Sequence, residues 1–266
     1  MKINKNITVL SCVKNCSQHI EESLHHIKDF QNIFSKVNLI LAQNDSLDDS
    51  VEKINKHSKG IDLKLYNFDG LDKKCSSRTQ RLAFLRNFLI KKAEYSDYIV
   101  IVDFDSILKN FNSEGLVSCF DRDLNEWDVL GANCNNRYYD LWALRTKTFD
   151  YNCWDLINHK RQEGIIDELT VPRIISKNQI KINKNSGLIP VYSCFGGMAV
   201  YKTSITKDCS YSGLLEECEC KHLKVKGSCI NEISEHVPFN KQMLKKGAKI
   251  FINSELIVNC QEEHLK

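Results

Sequence analysis

Two carboxylates stand one residue apart directly after an apolar run. The run Tyr98–Val102 is followed by Asp103, Phe104 and Asp105. Apolar, mostly β-branched residues in succession predict a central strand that is covered on both faces. Residues i and i+2 of an extended chain point the same way, so we expect Asp103 and Asp105 to aim together beyond the carboxyl edge of a sheet, where open α/β sheets bind ligands.

Paired oxygen ligands at such an edge suit Mg²⁺ or Mn²⁺, which takes one or two carboxylates together with substrate phosphates. We therefore predict that Asp103 and Asp105 bind a divalent metal, and we assign Phe104 between them to a nucleotide site. The alternative is a strand that ends in a solvated acidic turn, which the pair alone does not exclude. The rest of the chain favours the metal site.

The second predicted strand ends in the polar run Asn44–Ser50. Its functional interpretation is a loop that holds the base or ribose of a nucleotide, with Asn44 and Asp45 as contacts. Its structural alternative is a turn in which Ser46 or Asp48 caps the next helix.

Two further groups of residues are assigned to the same nucleotide site. The first predicted strand, residues 7–13, should end at the same edge, and it contributes Ser11 and Val13. Arg78, Arg81 and Arg86 lie on the borders of the apolar face of a helix predicted over residues 78–93. Guanidinium groups there would clamp a diphosphate, or they are surface arginines whose stems cover the core.

The stretch Tyr138–Arg145 is rich in aromatic residues and contains Asp140. Aromatic faces beside a carboxylate bind sugars by stacking and hydrogen bonding, although packing explains aromatic residues more often. We expect this stretch on the acceptor side.

Glu235 and His236 precede a helix that we predict to begin at Val237-Pro238, since proline fits the first turn of a helix. Helix starts tend to lie at the carboxyl edge of such sheets. We expect His236 to complete the metal site and Glu235 to act as the base toward an acceptor hydroxyl. Asp140 is the second candidate base, and His264 was also considered. The alternative is a helix-terminal carboxylate beside a half-buried histidine.

These residues need strands and helices to position them. The order strand, helix, strand in the first 42 residues predicts a parallel βαβ unit. The predicted elements are strands at 7–13, 37–42, 63–66, 98–102, 129–132, 191–201 (interrupted by Gly196-Gly197) and 249–252, and helices at 18–34, capped by Ser17, at 78–93, at 113–121 and after His236.

Length and composition fit one globular α/β domain. The chain has 266 residues, of which 42% are hydrophobic and 27% charged, and the net charge of +3 gives no case for nucleic acid as a partner. No stretch approaches the ~20 apolar residues of a membrane span. The first residues lack the pattern of a signal peptide, so we expect a cytoplasmic protein.

Twelve cysteines are many for such a protein. Most lie in apolar runs and behave as small hydrophobic residues. A denser group could hold zinc or, in an oxidising compartment, form a disulfide. Its members are Cys209, Cys218, Cys220, His222 and Cys229.

Together these motifs resemble those of nucleotide-sugar glycosyltransferases with the GT-A fold, from residue 7 to about 255. The residues on which this resemblance rests are Asn44–Ser50, Arg86-Asn87 and Val102–Asp105. Three further fragments are most similar to the capsule-type mannosyltransferase branch and its bacterial and viral relatives. They are Tyr139–Arg145, Phe195–Tyr201 and Glu235–Phe239.

The resemblance implies a nucleotide-sugar donor and a glycan or glycosylated-protein acceptor. Asp45 would bind the base, and Asp103 and Asp105 would hold Mn²⁺ or Mg²⁺, a Lewis acid for the departing nucleoside diphosphate. Residues 1–110 would form the nucleotide-binding half and residues 125–266 the acceptor half of a single domain. The inverting branch often carries Glu-Asp where this chain has Glu235-His236, which leaves the base and the stereochemistry open.

Two other functions remain possible at this stage. A nucleotidyltransferase also places paired carboxylates at a sheet edge, but it usually has a glycine- and lysine-rich loop after the first strand, where this chain has Lys14–Ser17 without glycine. The other is a binding module stapled by zinc at Cys209–Cys229.

Overall fold

The computed structural model describes residues 2–165, 167–168, 171–215 and 232–260. Its centre is one eight-stranded sheet with the strand order β3-β2-β1-β4-β7-β5-β8-β6. The strands are β1 Ile3–Val13, β2 Phe34–Gln43, β3 Asp62–Asn67, β4 Tyr98–Val102, β5 Val129–Cys134, β6 Leu188–Pro190, β7 Met198–Lys202 and β8 Ile250–Val258.

Helices lie between the strands in the described part of the chain. They are α1 Ser17–Ile33, α2 Ser50–His57, α3 Leu71–Lys74, α4 Arg78–Lys92, α5 Glu114–Val117, α6 Cys153–Gln162, α7 Val171–Asn178, α8 Thr203–Thr206 and α9 His236–Lys245, with a short 3₁₀ helix at Ser106–Leu108. None of the helices in these ranges combines the length and the apolar character that a membrane crossing requires.

Four of the seven strand pairings are parallel: β1 with β2, β1 with β4, β2 with β3, and β5 with β8. Because β7 runs antiparallel to both β4 and β5, β4 and β5 point the same way. The carboxyl ends of β1, β2, β4, β5 and β8 therefore meet at one edge of the sheet. The start of β7 lies at that edge as well.

The hydrophobic pattern explains why β4 is central. Its five residues are all buried, between β1 on one side and β7 on the other. A strand that reads as a continuous apolar run needs cover on both faces. The predicted single α/β domain with a mostly parallel sheet is confirmed.

Several predicted boundaries are wrong. The strand expected over 191–201 begins only at Met198, because Gly196 and Gly197 adopt φ values of +68° and +90°, which an extended strand does not contain. The helix expected over 113–121 is the single turn α5. Helix α1 begins at Ser17 and Cys16 is its N-cap, so Ser17 is not the cap.

Gly197 is a point of close approach in the turn that leads into β7. Its carbonyl accepts the Asp103 amide at 2.9 Å, and a Cβ on it would lie 2.5 Å from the Ile107 side chain. Gly247 has a similar φ of +84°, yet a Cβ there would meet nothing within 4 Å.

This contrast gives a stability prediction. Gly247→Ala should lower the free energy of unfolding by about 1–2 kcal/mol, the cost of left-handed backbone. Gly197→Ala should lower it by about 1–3 kcal/mol more, because the added methyl group overpacks Ile107. Urea denaturation of both variants measures the difference. Equal losses would contradict the close packing at Gly197.

Candidate active site

A cavity of about 620 Å³ opens at the carboxyl edge of the sheet. Among the described residues that line it, seven were predicted from the sequence as site residues. They are Arg78, Arg86, Asp103, Asp105, Asp140, Glu235 and His236. They come from α4, the turn after β4, the segment after β5, and the start of α9, so the sheet topology brings both halves of the chain to one place.

Arg86 is the buried centre of this group, with 4% of its surface exposed. One guanidinium nitrogen lies 3.0 Å from Oδ1 of Asp103, and the other contacts Oε1 of Glu235. The guanidinium also lies 5.1 Å from the ring centre of Phe195. Burial lowers the pKa of Arg86, but the negative charge of Asp103 raises it, and the net shift of the pKa is upward. Arg86 therefore stays charged.

The aromatic wall around Arg86 is fixed by Asn87, the next residue of α4. Its side-chain amide donates to the carbonyl of Tyr211 at 2.9 Å and accepts the Tyr211 amide at 2.7 Å. Tyr211 stacks on Phe239 of α9 with 3.9 Å between ring centres. The sequence analysis named Asn87 only as part of the Arg86-Asn87 motif, and it missed the role of this side chain in holding the segment around Tyr211.

Asp103 and Asp105 both line the cavity, as their spacing predicted. They do so from a turn rather than from extended chain. Asp103 follows the last residue of β4, and Asp105 precedes the 3₁₀ helix, where its Oδ1 accepts the Ile107 amide at 3.1 Å. Phe104 between them is buried in the core with 2% exposure and does not line the cavity.

His236 is the first residue of α9, not the residue before the helix as predicted. It is 2% exposed and stacks on Phe195 with 3.8 Å between ring centres. Burial, together with the positive charge of Arg86, lowers its pKa well below the usual 6.5. Both ring nitrogens are shielded from solvent and lack a hydrogen-bond partner. Because buried polar groups in native folds are normally hydrogen-bonded, these two nitrogens indicate a position for a ligand, a water or an ion.

Glu235 and His236 do not diverge as they would in extended chain. Glu235 is the N-cap residue of α9 and has a helical backbone conformation. It is 3% exposed, and Oε1 of Glu235 contacts Arg86 and lies 3.8 Å from Nε2 of His236.

Asp140 presents a different environment. Its Oδ2 accepts the Gly196 amide at 3.0 Å and its Oδ1 accepts the Ala143 amide at 3.2 Å. The side chain is half-buried in the cavity wall. Burial raises its pKa above the usual 3.8, despite the two amide donors, and the nearby Asp103 charge adds to the increase. A carboxylate with a raised pKa beside a cavity is suited to proton transfer.

The remaining predicted nucleotide residues lie outside the cavity lining. Asn44, Asp45 and Arg81 meet around Asp72, a residue that the sequence analysis did not single out. Asp72 accepts Nδ2 of Asn44 at 3.1 Å and Nε of Arg81 at 2.9 Å, and it pairs with Lys14.

Asp45 fixes the backbone of the neighbouring loop. Its two oxygens accept the amides of Gly70 at 2.5 Å and Asp72 at 2.9 Å, and these hydrogen bonds lower its pKa. Arg81 also donates to the carbonyls of Cys75 and Ser76. The signal that could have identified Asp72 is its position in the first turn of α3, after the left-handed Gly70.

Ser11 and Val13 end β1 inside the core, each with 1% exposure. The structural alternative, in which Ser46 or Asp48 caps the next helix, is wrong in its cap residue: Asp49 is the N-cap of α2 and makes no side-chain cap hydrogen bond. Asp48 instead binds two backbone amides, with Oδ1 accepting the Ser50 amide at 3.1 Å and Oδ2 accepting the Ser17 amide at 3.0 Å. This turn therefore supports the starts of both α1 and α2.

The proposed zinc cluster is only partly within the described ranges. Cys209 is half-buried there, while Cys218, Cys220, His222 and Cys229 lie outside the described residues, as does His264. Within the described ranges, no three His, Cys, Asp or Glu side chains converge on a ready-made metal site.

No protein-family model matches the chain, and no curated protein sequence is similar enough to match. Solved structures are similar in fold. TarS of S. aureus (residues 1–349, in complex with UDP-GlcNAc) superposes with a TM-score of 0.57 and 13% identity, covering 96% of this chain and 59% of that one.

The mannosyltransferase PcManGT from Pyrobaculum calidifontis, in complex with GDP-Man and Mn²⁺, gives a TM-score of 0.52 and 14% identity over 97% of this chain and 57% of that one. This chain thus spans less than three fifths of either structure. At such low identity the similarity shows the fold alone. The protein has the GT-A fold of these glycosyltransferases.

The Arg86 contacts give a prediction that a double-mutant cycle tests. Arg86→Met should destabilise the protein by about 3–5 kcal/mol, because it leaves two carboxylates beside a site without its cation. Glu235→Gln in that background should recover part of the loss, so the two changes should couple by more than about 1 kcal/mol. Free energies of unfolding of the four proteins measure the coupling.

The matched control is the pair Arg161–Glu168, whose nitrogen–oxygen distance is 3.0 Å but whose side chains are 37% and 80% exposed. Its coupling should stay below about 1 kcal/mol, as for other surface ion pairs. Equal coupling in both cycles would show that burial of Arg86 does not matter.

Proposed function

We propose that this protein is a metal-dependent glycosyltransferase, which moves a sugar from a nucleoside-diphosphate sugar to a hydroxyl of a glycan or glycosylated-protein acceptor. The first 110 residues or so serve the donor, and the part from about residue 125 onward serves the acceptor. The fold neighbours support sugar transfer in general, and the cavity supports the details.

One observation carries the proposal. Four carboxylates but only two guanidinium groups line the described cavity, and Glu235 and Asp103 already share Arg86. Such a lining repels an anion, because like charges a few ångströms apart strongly disfavour each other. A diphosphate enters this cavity only together with a cation. The excess of carboxylates is therefore what a metal–diphosphate site requires.

The side chains present fit a hard divalent cation. Asp103 and Asp105 offer carboxylate oxygens, and the orphaned imidazole of His236 is a third donor that Mn²⁺ accepts. Substrate phosphates and water would supply the other positions. Within the described ranges these three side chains are not preassembled as a three-residue site, so the phosphates are an essential part of the proposed coordination. Mg²⁺ or Mn²⁺ bound there supplies Lewis-acid stabilisation of the nucleoside-diphosphate leaving group.

On the donor side, exposed Arg78 at the cavity wall contacts the diphosphate, while buried Arg86 holds Asp103 in place. The nucleoside lies toward the ends of β1 and β2. Asn44 and Asp45 contact the base or ribose there, with Arg81 close by. Oδ1 of Asp45 can accept a second hydrogen bond beside that from the Gly70 amide. Ser11, Val13 and Phe104 form the floor below the nucleotide.

On the acceptor side, two carboxylates were candidates for the base. The carboxylate of Glu235 is already paired with the buried guanidinium of Arg86, so we assign it to positioning Arg86. Asp140 has the raised pKa and takes the proton from the acceptor hydroxyl. That oxygen forms the new bond to the sugar carbon as the bond to the diphosphate oxygen breaks.

The donor base and sugar are left to experiment. UDP-GlcNAc and GDP-Man are bound by the fold neighbours TarS and PcManGT, and the fragments Tyr139–Arg145 and Phe195–Tyr201 favour the capsule-type mannosyltransferase branch. Donor hydrolysis should be measured over a panel of UDP-, GDP- and CMP-sugars with Mn²⁺ and with chelator. Metal-dependent hydrolysis of one donor supports the proposal, and hydrolysis of none contradicts it.

The metal ligands give the next prediction. Asp105→Asn should weaken Mn²⁺-dependent binding of the nucleoside diphosphate by about tenfold or more, since even loss of an outer-shell partner costs that much. Asp105 is preferred to Asp103 because Asp103 pairs with Arg86, so its loss would also disturb the buried guanidinium. The exposed Asp121→Asn, outside the cavity lining, is the control. Calorimetry with equal affinity for Asp105→Asn and wild type would remove Asp105 from the site.

The base gives a pH prediction. Transfer needs ionised Asp140, so the rate should rise with pH through a midpoint above 3.8, the usual carboxyl value. Between 3.8 and the raised pKa the unfolded chain has lost this proton while the folded protein keeps it, so stability falls as pH rises.

The Asp140→Asn variant should show no sugar transfer, and it should bind the donor with the affinity of the wild type. Its stability should not fall as the pH rises from 3.8 to the raised pKa of Asp140. Rates, calorimetry and denaturation across pH measure the three effects. Undiminished transfer by the variant would rule out Asp140 as the base.

A further inference from the structure

A second, smaller cavity of about 230 Å³ adjoins the first, and we call it the annex. The described residues that line it are Trp142, Asn152, Trp154, Asp155, Asn158 and Glu232. Trp142 and Trp154 also line the main cavity, so the two indoles form the common wall. None of the donor-side residues lines the annex, which therefore lies at the end of the main cavity away from the metal and the diphosphate.

The lining of the annex has a definite chemistry. Its described residues offer two indole faces, two amides and two carboxylates, and none of these six residues is a lysine, arginine or histidine. Two cations outside the lining donate to lining residues: Arg145 donates to the carbonyl of Trp142 at 3.0 Å, and Arg161, which pairs with Glu168, donates to Asn158 at 3.4 Å. Such a lining disfavours phosphates and other anions. It suits a neutral ring with an apolar face for stacking and hydroxyl groups that donate to carboxylates and amides.

Local structure holds Trp154 at this wall. Asn152 caps α6: its Oδ1 accepts the Trp154 amide at 3.1 Å, and its Nδ2 donates to the carbonyl of Glu232 at 2.9 Å. Trp154 keeps 38% of its surface exposed, a large apolar area left in contact with water. The buried indole N–H of Trp142 has no hydrogen-bond partner. A sugar hydroxyl reaching this junction would satisfy that donor.

We propose that the annex binds the second sugar unit of a neutral oligosaccharide acceptor. The unit that carries the reacting hydroxyl lies in the main cavity near Asp140, and the unit next to it stacks against Trp154 with its hydroxyl groups toward Asp155 and Asn158. The acceptor is thus at least a disaccharide without phosphate. This inference rests on the proposed function and specifies its acceptor.

The test compares acceptors of different length with the donor found by the hydrolysis panel. The acceptors are methyl glycosides of mono- and disaccharides of glucose, galactose, mannose and N-acetylglucosamine, with phosphorylated counterparts. For wild type, kcat/KM should be about tenfold or more higher for the best neutral disaccharide than for its monosaccharide. Trp154→Ala and the annex-filling Asn158→Phe should remove this advantage, mainly through KM.

The exposed aromatic Tyr95, with 98% of its surface exposed, provides the control, and Tyr95→Ala should keep the full disaccharide advantage. Equal rates for mono- and disaccharides, preference for phosphorylated acceptors, or an advantage that survives both annex variants would overturn the assignment.

A binding measurement separates this inference from the proposed function. Saturable change of tryptophan fluorescence with a neutral disaccharide, lost in Trp154→Ala, supports the annex even if no donor is hydrolysed. The absence of such a change with every disaccharide contradicts the annex, while metal-dependent donor hydrolysis in the same protein would leave the transferase function standing.

Discussion

The buried guanidinium of Arg86, between Asp103 and Glu235, joins the two halves of the site. It links α4, the turn after β4 and the start of α9, at 4% exposure. A charge so far from water persists only with charged partners, and the loss of one partner leaves the other uncompensated. The contact therefore fixes the position of Asp103 at the edge of the cavity. It also occupies Glu235, which is why we propose Asp140 as the base.

The topology of the sheet explains why the other groups gather around this contact. Strands β4 and β5 end at the same edge, and the antiparallel β7 begins there. The turn before β7 then meets both neighbours, because Gly197 binds the Asp103 amide and Gly196 donates to Asp140. Two glycines with positive φ thus connect the backbone of Asp103 with the carboxylate of Asp140 through hydrogen bonds.

Local pattern was sufficient to predict the fold class, and it placed Asp103, Asp105 and His236 correctly at one cavity. Apolar runs indicate which segments are buried, and the carboxyl ends of parallel strands lie at the same edge of the sheet. The same pattern could not reveal that Arg86 pairs with Glu235, since helical periodicity gives the face of a residue and not its distant partner. It also predicted strand before the Gly196-Gly197 interruption, over 191–195, but β7 begins only at Met198, after the two glycines with positive φ. Asp72 was missed because its signal, a place in the first turn of the short helix α3 after Gly70, does not indicate which residues it contacts.

The central claim is that the carboxylate-lined cavity binds a metal–diphosphate complex. A crystal structure with Mn²⁺ and the nucleoside diphosphate of the preferred donor tests this claim most directly. Anomalous scattering locates the manganese independently of any interpretation of the protein. The expected result is one manganese peak within coordination distance of Asp103 and Asp105, about 2.0–2.2 Å for such oxygen ligands, with diphosphate oxygens on the same ion. A nucleotide bound in this cavity without metal, or manganese bound elsewhere, would contradict it.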